Sequence, residues 1–199
     1  MHGCCRIDDS IRKQTSADVM VSRFGINTKE QSSMAVNLAD ELVEASILTQ
    51  ATATDWRGAI ALAGDALVAG GATTDAYTAE MIAAVEKLGP YIVIAPGLAI
   101  AHSRPSPAVL RAGLSWVNLK KPVAFGHSTN DPVFLIIGLA APDHDGHIGI
   151  MSALATVLLD GEALAELKAA ESPAQVRELL AAFARQPRTN QLLQRKAKS

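Results

Sequence analysis

FLIIGLA, residues 134–140, carries no polar side chain, so a strand built from it has no face to give to water. A strand of that kind belongs in the middle of a sheet that helices cover on both sides. The apolar run around it, Val133–Pro142, has 10 residues, far short of the roughly 20 that a membrane helix needs. The stretch therefore predicts the central strand of a soluble domain, with no insertion into a membrane.

Outward from this strand, Leu114–Leu119 and Pro122–Phe125 predict two further strands, with the pair Lys120 and Lys121 as a hairpin turn between them. Tyr91–Pro96 and Leu98–Ala101 predict two short ones before them. Helical periods lie on either side. Asp55–Val68 follows Thr54 as N-cap and stops at Gly70-Gly71, and Thr74–Leu88 stops at Gly89-Pro90. After the central strand the helical period returns from His147 through Leu159, Gly161 breaks it, and Glu162–Ala170 and Pro173–Ala184 complete the series. Helices, then strands, then helices predict an α/β fold, a single-domain sandwich of a four- to five-stranded mixed sheet flanked by helices.

The patterned region runs from Met34 to Arg185. Residues 1–33 show no sustained period and are expected to be a flexible extension or a leader, and residues 186–199 form a basic tail with Arg188, Arg195, Lys196 and Lys198. With 18 Lys and Arg against 20 Asp and Glu, the net charge of -2 carries no electrostatic footprint for nucleic acid. Aromatic residues are 4% of the chain, which leaves few platforms for stacking a sugar or a base. Cys4 and Cys5 are adjacent and the N-terminus lacks the apolar core of a signal peptide, so a cytoplasmic location is expected.

Four of the five histidines, His102, His127, His144 and His147, fall within 46 residues, each at the end of a predicted element. A loop histidine is usually a surface or hydrogen-bonding residue. Several gathered at strand ends beside a helix N-terminus can instead line an anion pocket, bind a metal, shuttle a proton or carry a phosphoryl group. A metal reading takes His144 and His147 as a chelating pair completed by His102 and His127, in a small metal-dependent hydrolase. It lacks a Cys or Glu at ligand spacing. A serine hydrolase lacks the G-x-S-x-G elbow, since Ser103 merely adjoins His102. Neither a phosphate-binding P-loop nor a dinucleotide fingerprint is present, and no cofactor is expected.

The runs GPYIVIAPGLAIAHSRP (residues 89–105) and LSWVNLKKPVAFGHSTNDPVFLIIGLAAPDHDGHIGIMSALATVL (residues 114–158) resemble the enzyme IIA domains of the bacterial phosphoenolpyruvate-dependent sugar phosphotransferase system (PTS), mannitol and fructose class, ascorbate-like type. The resemblance spans Met34 to Arg185. It implies the mannitol/fructose-type IIA fold and a cytoplasmic phosphocarrier. HPr would donate a phosphoryl group to a histidine, which would pass it to a cysteine of a cognate enzyme IIB, supporting uptake of ascorbate or a related carbohydrate. The family's phosphorylated histidine matches His102 and its second active-site histidine matches His147. The loop FGHSTNDPV brings His127, Asn130 and Asp131 toward the site.

Two positions depart from the family pattern. Ala101 stands where many relatives have Pro before the active histidine. The mannitol-type Arg that stabilises phosphate has no counterpart near Val85-Glu86-Lys87-Leu88, which leaves Arg104 as a candidate donor. Because the compact region has no cysteine, IIB and the membrane IIC are expected as separate polypeptides. Its apolar helices are compatible with a homodimer. A regulatory interaction module phosphorylated on the same histidine is the alternative within this resemblance.

Overall fold

The computed structural model describes residues 37–185. The expected extension, residues 1–33, and the basic tail, residues 186–199, lie outside the described residues. The chain opens with a single turn of helix, α1 (Leu38–Glu41), whose first amides are met by the Asn37 side chain, and a 3-10 turn at Glu44–Ser46 leads into β1 (Ile47–Ala51). Two antiparallel-connected helices follow, α2 (Trp56–Ala69) and α3 (Asp75–Leu88). Then come β2 (Val93–Ala95), β3 (Leu98–Ala101), β4 (Gly113–Val123) and β5 (Val133–Ala140). Helices α4 (His144–Leu158), α5 (Gly161–Ala169) and α6 (Pro173–Arg185) close the described chain.

The strands form one mixed five-stranded sheet in the order β1-β4-β5-β3-β2, so FLIIGLA lies in its centre. β5 runs antiparallel to β4 and parallel to β3, in a register that pairs Leu98 with Leu135 and Ala101 with Gly138. Period-two alternation then sorts the apolar side chains into two cores. Ile136 and Ala140 join Ala99, Ala101 and Val117 beneath α2 and α3, against Ile60, Leu67, Tyr77 and Met81. Leu135, Ile137 and Leu139 join Leu98, Ile100 and Trp116 on the other face, against Ile150, Leu154, Val176 and Leu180. Gly138 lets α2 sit close. A Cβ there would crowd the Ser115 hydroxyl, which donates to the Ala63 carbonyl of α2 at 2.7 Å, and would lie 3.1 Å from Leu67 Cδ1.

Three expectations need correction, and one strand was not among them. Lys120 and Lys121 are not a turn, because β4 continues unbroken to Val123. Its pairing with β5 slips between Asn118 and Val123, and Lys120, Lys121 and Pro122 are exposed there, which gives this part of the strand a turn-like composition. The reversal falls later, at residues 124–132, where Gly126 adopts φ 84°. Helix α2 is capped by Asp55, not Thr54, through a 2.8 Å bond to the Gly58 amide. Helix α4 begins at His144, because Asp143 caps it by accepting from the Gly146 amide at 2.7 Å. β1 was not anticipated, being a half-buried edge strand of only 5 residues with no clean alternation.

Candidate functional site

β3 and α4 place the two histidines that face each other. His102 follows the last residue of β3 at the C-terminal end of the parallel β3–β5 pair, and His147 lies in the first turns of α4, which leaves the same end of β5. Their ring centroids are 5.4 Å apart. Nδ1 of His102 is 2.9 Å from the carbonyl oxygen of Ile100. A carbonyl only accepts, so this nitrogen donates, and in the neutral ring the lone pair is then on Nε2. His147 is held below the ordinary histidine range, first by burial and then by the neighbouring His102 and His144. Its place at a helix N-terminus disfavours a cation as well.

Two tyrosines complete the setting. The Tyr91 ring meets the His102 imidazole edge-on at 5.6 Å, and its hydroxyl donates to the His102 carbonyl at 3.1 Å. Tyr77 lies beneath, 1% exposed. Its hydroxyl accepts from the Ser103 amide at 3.0 Å and donates to the Leu139 carbonyl at 3.0 Å. Above them opens a cleft of about 750 Å3 lined by Glu80 and Lys87 of α3, Tyr91, the segment His102–Ser106, and His144 with His147. Arg104 therefore reaches this cleft. Neither it nor Lys87 is in an ion pair, since among the described residues the one salt bridge joins Arg57 to Glu86.

The loop carrying His127, Asn130 and Asp131 lies elsewhere. It precedes β5, whereas His102 follows β3, so the length of the parallel pair separates the two. The loop is tied to the start of β3: the Gly97 amide donates to the Asn130 carbonyl at 2.8 Å, and Asn130 Nδ2 donates to the Val93 carbonyl at 3.2 Å. Asp131 accepts from the amides of Phe125, Gly126 and His127, and His127 Nδ1 accepts from the amides of Thr129 and Asn130. These side chains organise their own loop. The four-histidine metal set is accordingly not assembled, and among the described residues no group of three or more His, Cys, Asp or Glu is arranged to hold a metal. Sequence reasoning missed Tyr77, Tyr91, Glu80 and Lys87. The chain has only 2 tyrosines, and their presence on either side of the Glu80–Lys87 helix face was the available signal.

A paired imidazole site at the C-terminal end of a parallel strand pair, with one ring nitrogen locked as donor, suits transfer of a group onto the other nitrogen. The family model for the phosphoenolpyruvate-dependent sugar phosphotransferase system, EIIA 2, matches residues 42–183. This chain belongs to the PTS EIIA type 2 family. EIIA components are phosphotransferases that work through a phosphohistidine. The chain is similar to the ascorbate-specific PTS EIIA component of Escherichia coli K12, 40% identical over 148 residues that cover 73% of this chain and 96% of that protein. The mannitol-specific cryptic phosphotransferase enzyme IIA of E. coli superposes with a TM-score of 0.67 at 33% identity, covering 74% of this chain and 99% of its own. The mannitol enzyme IIA of E. coli, in its complex with phosphorylated mannitol enzyme IIB, gives a TM-score of 0.62 at 29% identity, covering 70% and 96%. The sandwich built around FLIIGLA is thus the EIIA fold. Among the described residues of this EIIA, no single helix is long and apolar enough to cross a membrane.

Proposed function

We propose that this EIIA carries its phosphoryl group on Nε2 of His102, accepting it in the cytoplasm from phospho-HPr. It then hands the group to a cysteine of a separate enzyme IIB, which serves a separate membrane IIC in uptake of ascorbate or a related carbohydrate. The observation that carries the assignment is the 2.9 Å contact between His102 Nδ1 and the Ile100 carbonyl, which leaves Nε2 as the unprotonated nucleophile. The Nε2–P bond forms as the donor's bond to phosphorus breaks. In the second half-reaction the Nε2–P bond breaks as an S–P bond forms on IIB.

The transferred group brings a charge of roughly -1.5 to -2 into the cleft. His147 has the role of stabilising partner. Burial and the neighbouring imidazoles favour its neutral form while His102 is unmodified, and a phosphoryl group on the facing ring, whose centroid is 5.4 Å from that of His147, reverses the local field and favours its protonation. Arg104 and Lys87, unpaired at the cleft wall, supply the positive charge that the mannitol-type Arg supplies elsewhere in the family. The likeness to ascorbate-specific EIIA supports the ascorbate assignment.

Incubation with enzyme I, HPr and phosphoenolpyruvate tests the reading. It should give acid-labile phosphate on the wild-type chain and none on His102→Ala. Phosphate that persists on His102→Ala would overturn the assignment. Phosphotransfer to ascorbate-type rather than mannitol-type IIB tests the substrate class.

A further inference from the structure

Beyond Ala101 the chain leaves the sheet, and residues 102–106 belong to neither helix nor strand, so no ladder of backbone bonds fixes His102 in place. Two phenols hold the backbone of this segment, Tyr91 at the rim and Tyr77 buried beneath it. The Tyr77 hydroxyl accepts from the Ser103 amide at 3.0 Å and donates its single proton to the Leu139 carbonyl at 3.0 Å, with the Ser103 carbonyl also within reach at 3.2 Å. Leu139 is the penultimate residue of β5, the strand that leads into α4 and His147. One buried oxygen therefore ties the segment bearing one histidine to the strand that delivers the other.

We infer that Tyr77 is a positioning residue for phosphoryl transfer, holding the His102 imidazole in register with His147 through its hydroxyl. The inference rests on His102 being the phosphoryl acceptor. Tyr77 touches neither the phosphoryl group nor the reacting nitrogen, and it acts through the Ser103 backbone. Its burial also pushes the phenol up from its ordinary range, so the hydroxyl keeps its proton across the working pH range. Tyr91 works on the same segment from the rim, by its bond to the His102 carbonyl. Because transfer demands alignment of the nucleophile with the incoming phosphorus, a drift of about 1 Å in His102 can cost on the order of a hundredfold in rate.

Tyr77→Phe keeps the ring that packs under the sheet and removes only the oxygen. Transfer from phospho-HPr to the full chain should show kcat lowered by about ten-fold or more with KM within about two-fold, because docking is untouched while alignment is lost. The Nδ1–H signal of His102 in 15N spectra should broaden or shift. A kcat for the folded variant that equals the wild type would overturn the inference. If Tyr77→Phe does not fold, 3,5-difluorotyrosine at position 77, assayed at a pH below its lowered phenol pKa so that the proton stays on, keeps the hydroxyl but weakens it as an acceptor. A reduced kcat then supports the inference and an unchanged one overturns it. Failure of the underlying reading looks different: the wild-type chain itself would take no phosphate, or His102→Ala would still take it.

Discussion

At the residue scale, two of the three histidines that line the cleft, His102 in the loop after β3 and His147 in α4, meet different surroundings. His102 is fixed by a carbonyl that accepts from Nδ1, whereas His147 meets burial, two other imidazoles and a helix N-terminus. All three influences on His147 oppose its charged form. The other charged groups at the cleft are Glu80, Lys87 and Arg104, of which only Glu80 is attractive to an imidazolium. NMR titration of the unmodified protein should therefore find His147 protonating below the ordinary value of about 6.5. Linkage fixes the sign for stability: a histidine whose folded pKa is lowered contributes fully above the unfolded value and loses that contribution as pH falls through it. Phosphorylation of His102 should raise the His147 midpoint, and a midpoint that stays put would detach His147 from the phosphoryl group.

The same scale explains the glycine in FLIIGLA. Gly138 faces Ser115, Leu67 and the Ala63 carbonyl, and a methyl group there has to displace the hydroxyl that bonds strand to helix. Gly138→Ala should cost about 1–3 kcal/mol through overpacking, read as a lower denaturation midpoint with an unchanged denaturant slope. The central position of the strand was legible from its lack of polar side chains. The need for glycine at one place in it was not, because it arises from how closely α2 approaches.

At the element scale, legibility follows how much of an element's pattern is set locally. Helices α2, α3, α5 and α6 were found within a residue or two because their apolar period and the glycines and prolines that bound them lie in the sequence itself. β4 was read as two pieces because its exposed Lys120-Lys121-Pro122 stretch lies where the ladder to β5 slips, an irregularity that only the partner strand reveals. The loop at residues 124–132 was carried into the site by resemblance, yet the sheet's direction puts it at the other end. Asp131 accepts three consecutive backbone amides there. Asp131→Ala should destabilise the fold by about 1–3 kcal/mol, the usual cost of orphaned donors. Phosphorylation of the folded variant by phospho-HPr should keep its wild-type rate. A large loss of rate in folded Asp131→Ala would return the loop to the active site.

At the scale of the whole molecule, a carrier must be recognised by a donor and an acceptor that are both proteins, and its surface has to serve that exchange. Ile100, two residues before His102, is buried in the core at 1% exposure and offers nothing to a partner. The apolar groups that reach water at the cleft are Leu88 at 64% from the end of α3 and Tyr91 at 39% before β2, and Ile148, 52% exposed, follows His147 on α4. Single exposed apolar residues are ordinary, but two at the cleft and one next to its histidine on α4 offer a surface suited to transient docking. The chain's net charge of -2 is small, so a phosphoryl group of roughly -1.5 to -2 nearly doubles it, concentrated at the cleft. Docking before transfer should therefore draw on these exposed apolar groups. Ile148→Asp places a carboxylate on this surface at an exposed helix position, where it costs the fold little. It should raise KM for phosphotransfer to IIB by about ten-fold, equivalent to about 1.4 kcal/mol of docking energy, and leave the thermal midpoint within a few degrees. An unchanged KM would move the docking surface away from α4.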